Sequence, residues 1–107
     1  MLYMSMADVF ELLAEPGRRR LVELLRGGER SVGELVEATG ASQPAVSRNL
    51  RLLREGGLVG VRAEGQRRLY RVLPEPLREL DAWLEPYRLV WSSRLDDLTR
   101  HLGEMAD

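Results

Sequence analysis

Residues 42–59 read Ser42-Gln43-Pro44-Ala45-Val46-Ser47-Arg48-Asn49-Leu50-Arg51-Leu52-Leu53-Arg54-Glu55-Gly56-Gly57-Leu58-Val59. Ser42 suits a helix N-cap, because its hydroxyl accepts a first-turn amide that has no partner inside the helix. Pro44 falls in the first turn, where a missing amide proton costs little. Ala45, Val46, Leu50 and Leu53 are read as one inward side of the helix, and Gly56-Gly57 ends it. Immediately upstream, Ser31-Val32-Gly33-Glu34 has the spacing of a capping box, with Ser31 capping the Glu34 amide and Glu34 reaching back. The helix it opens carries Leu35, Val36 and Ala38 and stops at Gly40. Two short helices joined through Thr39-Gly40-Ala41, the second freshly capped, form a helix-turn-helix.

Downstream, Leu58–Arg62 and Arg67–Val72 are β-rich runs around Ala63-Glu64-Gly65-Gln66, a hairpin with a glycine-bearing turn. A hairpin placed directly after the second helix is a wing. Its strands hold Arg62, Arg67, Arg68 and Arg71. Upstream, Val9, Phe10, Leu12 and Leu13 pattern one short helix. Pro16 opens another, with Leu21, Val22, Leu24 and Leu25 on its stripe and Gly27-Gly28 at its end. Residues before Ala7 are weakly patterned. The expected fold is therefore a winged helix-turn-helix, mainly α with a small β-hairpin, in the order α-α-α-α-β-β-α. One domain covers residues 1–107, with a winged core over 7–73.

A last helical stretch covers 75–105. Its apolar positions, 77, 80, 84, 87, 91, 95, 98, 102 and 105, alternate near three and four residues apart, as in a coiled-coil seam. Leu77, Leu80, Leu84, Tyr87, Trp91, Leu95, Leu98 and Leu102 are thus candidate dimer-interface residues. Trp83 and Trp91 are expected as large buried anchors. The apolar surface exceeds what the small winged core covers. Pro86 is expected to kink or break the helix near Glu85, since it donates no amide and crowds the turn before it.

Composition narrows the function. A chain with 44% hydrophobic and 31% charged residues is globular rather than disordered. No apolar run reaches the roughly 18 residues of a membrane span, and no leader pattern is present, so a cytoplasmic location without membrane contact is expected. Without cysteine there are no disulfides and no thiolate metal ligands. All 16 basic residues are arginine, which suits phosphates and guanine edges but also follows from GC-rich codons. The net charge of −1 divides unevenly: −2 over residues 1–41, +5 over 42–71 and −4 over 72–107. A basic middle between acidic ends is the electrostatic footprint of a nucleic-acid-binding face. One histidine, no cysteine and no glycine-rich phosphate loop argue against an enzyme.

Ala14-Glu15-Pro16-Gly17-Arg18-Arg19-Arg20-Leu21-Val22-Glu23-Leu24-Leu25 resembles the first signature of the ArsR family of winged-helix repressors, which often show Ala-Asp-Pro-Thr-Arg before a leucine-rich helix. Glu15 and Gly17 replace Asp and Thr here, a departure expected to cost a cap or contact. Residues 42–59 resemble the family's recognition helix nearly throughout, although histidine is common where Asn49 stands. The resemblance covers about residues 8–102. It implies a homodimer joined through the first and last helices, repression by occupying an operator, often in the protein's own promoter, and relief by an inducer.

On that reading Ser42, Gln43, Pro44, Ser47, Arg48 and Arg51 of the recognition helix face double-stranded DNA. Gln43 pairs with adenine, Arg48 with guanine, Pro44 touches a thymine methyl, and Arg51 meets phosphate. In the wing, Arg62, Gln66, Arg67 and Arg68 are the donors; strand alternation sends Arg67 and Arg68 to opposite faces, so one of them is free to pair with an acid instead. Arg18, Arg19 and Arg20 either approach phosphate or pair with Glu11, Glu15 or Glu23. The family's last-helix metal site uses an Asp-x-His pair, then a second pair some 11 residues on. His101-Leu102-Gly103-Glu104 matches the second half, but Arg88 and Val90 occupy the first. Zinc wants four ligands, so no metal or cofactor is expected. Two alternatives stay open: control by an apolar small-molecule inducer bound between helices, and a winged-helix protein–protein interaction module.

Overall fold

The computed structural model describes residues 6–106. Helices α1 (Met6–Ala14) and α2 (Pro16–Leu25) precede a two-residue strand β1 (Arg30–Ser31). Helices α3 (Val32–Thr39) and α4 (Gln43–Glu55), strands β2 (Val59–Glu64) and β3 (Arg67–Val72), and helix α5 (Pro74–Ala106) complete the chain. The expected order holds with one addition: β1 was not foreseen, and it extends the hairpin to a three-stranded antiparallel sheet ordered β1-β3-β2. A two-residue strand has no periodicity to read. It exists because β3 has a second edge, on which Arg30 pairs with Tyr70 and Ser31 with Leu69. The weakly patterned residues 1–5 lie outside the described residues.

The helix ends follow from local chemistry. Ser31 accepts from the Glu34 amide at 3.2 Å while Glu34 accepts from the Ser31 amide at 3.0 Å, closing the capping box. Gly40 ends α3 in the left-handed region at φ 72°, where a side chain would be strained. Glu15 corrects an expectation. It does not cost a cap; it is the N-cap of α2, accepting from the Arg18 amide at 2.9 Å. Gly17 beside it is a close approach, since a Cβ there would meet Glu15 Oε2 at 2.9 Å and Asn49 Nδ2 at 3.0 Å.

Leu21 and Leu25 of α2, Leu35 of α3, Val46, Leu50 and Leu53 of α4, and Leu58 and Val59 of β2 form one buried cluster. Ala45, expected to face inward, is exposed; the inward side of α4 is the Val46-Leu50-Leu53 stripe, with Asn49 half-buried. Leu77 of α5 packs against this same cluster, so it belongs to the core rather than to a free interface.

Helix α5 runs unbroken for 33 residues through Pro86, so the alternative of a break near Glu85 is overturned. Pro86 removes the amide that would reach the Ala82 carbonyl. Arg88 spans this stretch, donating to the Asp81 carboxylate at 2.6 Å, to the Asp81 backbone carbonyl at 3.1 Å and to Glu85. One side chain thereby ties the turns on either side of the proline. α5 packs on α1, but every residue from Leu89 to Glu104 is exposed. The helix projects away, stretching the molecule to 65 Å with a radius of gyration of 18.7 Å, against about 13 Å for a compact chain of this length.

Leu50 is completely buried where α4 meets the rest of the core. Leu50→Ala is expected to destabilise the fold by about 2–5 kcal/mol, read as a lower midpoint in urea unfolding at unchanged slope.

Candidate nucleic-acid interface

The Val46-Leu50-Leu53 stripe fixes the rotation of α4 about its axis, and with it the direction of every other side chain on the helix. Ser42, Gln43, Pro44, Ser47, Arg48 and Arg51 are all exposed, as are Ala45 and Arg54; Ser47, Arg48 and Arg51 point away from the stripe, whereas Gln43 is exposed in the first turn, ahead of the core. Ser42 Oγ is engaged as the cap, accepting from the Ala45 amide at 3.3 Å. Arg48, Arg51 and Arg54 form no ion pair among the described residues. Thus the sequence-derived set is exposed over the first turn and the outward side of α4, and Arg54 extends it by a turn.

The strands of the wing pair from Val59 with Val72 to Glu64 with Arg67, leaving only Gly65 and Gln66 in the turn. The turn is tighter than the four residues read from sequence. Gly65 takes it up with a φ of 61°, which a two-residue hairpin loop needs at its first central position. The four wing donors fare differently. Arg62 is held by Glu29 at 2.8 Å and Glu64 at 3.1 Å. Arg67 pairs with Glu34 at 2.9 Å. Arg68 and Gln66 are exposed, with no side-chain partner among the described residues. Of the neighbouring pair, then, Arg67 is the one tied to an acid. Glu29 is not singled out by the sequence, and Glu34 is read there only as the capping-box partner of Ser31; each lies 33 residues from its arginine, a separation that no local pattern reveals.

These contacts polarise both partners. The Ser31 amide and hydroxyl, with a smaller contribution from the Arg67 charge, hold the Glu34 carboxyl below the usual glutamate range. The Arg62 guanidinium does the same to Glu29, which in turn raises Arg62.

The cluster Arg18-Arg19-Arg20 resolves into structural contacts. Arg18 donates to the Leu12 carbonyl at 2.9 Å and the Glu11 carbonyl at 3.3 Å, and Arg19 to the Leu13 carbonyl at 2.8 Å. These are the carbonyls left open where α1 ends. Arg20 pairs with Glu23 at 3.6 Å. The partners of Arg18 and Arg19 are backbone oxygens, not the acids weighed in the sequence.

On α5, Leu80 and Leu84 are half-buried, whereas Tyr87, Trp91, Leu95, Leu98 and Leu102 are exposed, Leu95 by 63%. Trp83 meets Phe10 of α1 edge to face, with ring centroids 5.4 Å apart, and lies 5.1 Å from Tyr87. Neither tryptophan is buried within this chain, where Trp91 is 53% exposed. Leu89 and Val90, off the predicted seam, add to the uncovered apolar surface. His101 is exposed. Among the described residues no three histidine or acidic side chains gather as a metal site would require, and no helix is long and apolar enough to cross a membrane.

A capped second helix with an exposed basic face, followed by a hairpin whose arginines flank it, defines a winged helix-turn-helix DNA-binding protein. The profile described as "Bacterial regulatory protein, arsR family" matches residues 15–61. The HTH-type transcriptional regulator Rv2034 of Mycobacterium tuberculosis is 38% identical over 105 residues, covering 98% of this chain and 95% of that protein. Rv0324 of the same organism is 39% identical over 81 residues, which is 76% of this chain but 36% of that longer regulator. A crystal structure described as a "possible transcriptional regulator for arsenical resistance" superposes with a TM-score of 0.67 at 43% identity, covering 79% of this chain and 95% of that one. Several further relatives are named as repressors. The chain belongs to the ArsR family of bacterial transcriptional regulators, and it is a DNA-binding regulator rather than an enzyme.

Because the Glu29 and Glu34 carboxyls are depressed in the fold, their stabilising contribution is present above the unfolded glutamate pKa of about 4.3 and is lost as the pH falls through their lower folded values. The urea midpoint is expected to drop in that acid range. Glu34→Gln, measured across the same series, should start from a lower midpoint at neutral pH and show a shallower fall.

Proposed function

We propose that this protein is a homodimeric, cytoplasmic repressor that binds an inverted-repeat operator, its own promoter included. One observation carries the reading. Helix α4 exposes Gln43 in its first turn and Ser47, Arg48 and Arg51 on its outward side, beside Arg68, which has no side-chain partner among the described residues, in a chain that is otherwise acidic. Such a helix enters the major groove, where Arg48 suits guanine and Gln43 suits adenine, while Pro44 suits a thymine methyl. Ser42, Ser47 and Arg51 are assigned to the flanking phosphates and sugars, which set register rather than sequence.

The wing is assigned to the adjacent backbone or minor groove. Arg68 is the leading donor, with Gln66 at the tip beside it. Arg67 holds the hairpin to Glu34 of α3, and Arg62 holds it to Glu29, just ahead of β1. Their ion pairs are exposed and therefore weak, so both remain able to exchange a carboxylate for a phosphate.

The bare half of α5 supports dimerisation. Contiguous apolar surface on this scale marks an interaction face, and Tyr87, Trp91, Leu95, Leu98 and Leu102 run along it. A two-fold dimer doubles the base contacts and sets its half-sites about one helical turn apart, some 34–36 Å. Metal sensing is not part of the proposal. His101 and Glu104 supply half of a last-helix site at most, and Arg88 stands in the other half, bound to Asp81 and Glu85.

The direct test is fluorescence anisotropy on the protein's own upstream DNA against a scrambled duplex, over a salt series. Binding should be selective and fall steeply with salt through counterion release. Arg48→Ala should cost about 1–3 kcal/mol at one base pair and relax preference there; unchanged affinity and preference would remove Arg48 as a reader. Leu95→Glu should give monomers in analytical ultracentrifugation and weaken operator binding, and a surviving dimer would place the interface elsewhere.

A further inference from the structure

We propose that the cleft between α2, the end of β3 and the start of α5 binds a small amphipathic carboxylate. The cavity measures about 770 Å³, within the roughly 300–1,000 Å³ of small-molecule sites. Val22 and Leu25 of α2, Val72 of β3, Pro74 and Leu77 of α5 and Leu13 give it an apolar lining.

Its rim carries acids and arginines together, but they are not mutually neutralised. Each rim acid is bound to an arginine that does not line the cavity: Glu23 to Arg20 at 3.6 Å, Glu29 to Arg62 at 2.8 Å and Asp81 to Arg88 at 2.6 Å. Of the rim arginines, Arg19 is spent on the Leu13 carbonyl. The Arg26 and Arg78 side chains, both exposed, have neither hydrogen bond nor ion pair among the described residues. Arg71 feels Glu29 electrostatically but forms no ion pair among the described residues. Gly60 leaves room for it, since a Cβ there would come within 3.2 Å of the Arg71 guanidinium. The cleft therefore presents an apolar floor and an excess of positive charge at its mouth.

That pairing selects its occupant. An uncharged apolar molecule would leave the guanidinium groups unused, and a purely ionic one would leave the apolar floor wet. A chain or ring carrying one carboxylate satisfies both, because planar guanidinium donors match a carboxylate in a fork. Solvated arginines whose stems merely cover an apolar dent are the alternative, and the headgroup dependence separates the two.

The site does not depend on the DNA-binding reading, so its test needs no DNA. Isothermal titration calorimetry of the intact protein with octanoate and with octanol is expected to show saturable octanoate binding about tenfold tighter than octanol. The double variant Arg26→Gln/Arg78→Gln, with its folding checked by circular dichroism, should lose about tenfold in octanoate affinity and keep its octanol affinity. Amide shifts on adding octanoate should centre on Val22, Leu25 and Val72. No saturable octanoate binding, equal affinity for the two probes, an unaffected double variant, or shifts centred on α5 beyond Trp91 would each overturn the proposal.

Discussion

The burial of Val46, Leu50 and Leu53 against Leu21, Leu35 and Leu58 is the constraint on which the rest depends. Three positions on one stripe, spaced by four and then three residues, allow one rotation of α4 about its axis. Turning the helix by one residue would bring Ser47, Arg51 and Arg54 into the core, and an unpaired arginine is almost never fully buried. The same cluster continues into Leu58 and Val59, so the packing that orients α4 also roots the first strand of the wing. Reading face and wing are therefore two outputs of one core, which keeps their mutual geometry rigid.

The start of α3 is the second fixed point. Ser31 is at once a residue of β1, paired with Leu69, and the cap of α3. Glu34 closes the capping box and also holds Arg67 near the wing tip. Two residues thus couple a helix end, a sheet edge and the hairpin. Glu29 and Arg62 add a second tie on the other strand of the hairpin. None of these ion pairs is buried, so each contributes little to stability; their effect is to limit the wing's sway, while the exposed pairs stay open to exchange with an incoming anion.

Much of this was legible in the sequence because it is local. Caps announce themselves within three residues, as Ser31 with Glu34 and Ser42 with Ala45 do, and two β-rich runs around a glycine-bearing turn mark the hairpin. What was missed is non-local or context-bound. β1 exists only because β3 offers an edge. The Glu29–Arg62 and Glu34–Arg67 pairs bridge segments far apart in the chain. Arg18 and Arg19 take backbone carbonyls at the end of α1, and no residue type betrays such acceptors. Ala45 was placed inward because alanine is apolar, yet an alanine has too little surface to decide a helix face. Leu77 shares the seam spacing of α5 but sits near its start, within reach of the domain's own core, so proximity overrode periodicity.

Helix α5 shows how the remaining tension is resolved. Proline inside a helix costs about 3 kcal/mol or more, and a helix without tertiary packing is marginal even when its sequence is favourable. α5 nevertheless continues for 20 residues beyond Pro86, and every residue from Leu89 to Glu104 is exposed. Arg88 repairs the local defect through its bonds to Asp81 and Glu85, but these are exposed contacts and cannot sustain the whole segment. The stretch beyond carries an apolar series, Trp91, Leu95, Leu98 and Leu102, flanked by Asp96, Asp97 and Arg100. A second copy of the same helix would cover that series and keep the acidic flank in water. It would also gather the negative charge of residues 72–107 at the dimer axis, away from the basic faces of the two α4 helices. Covering the helix and separating the charge are then met by a single arrangement.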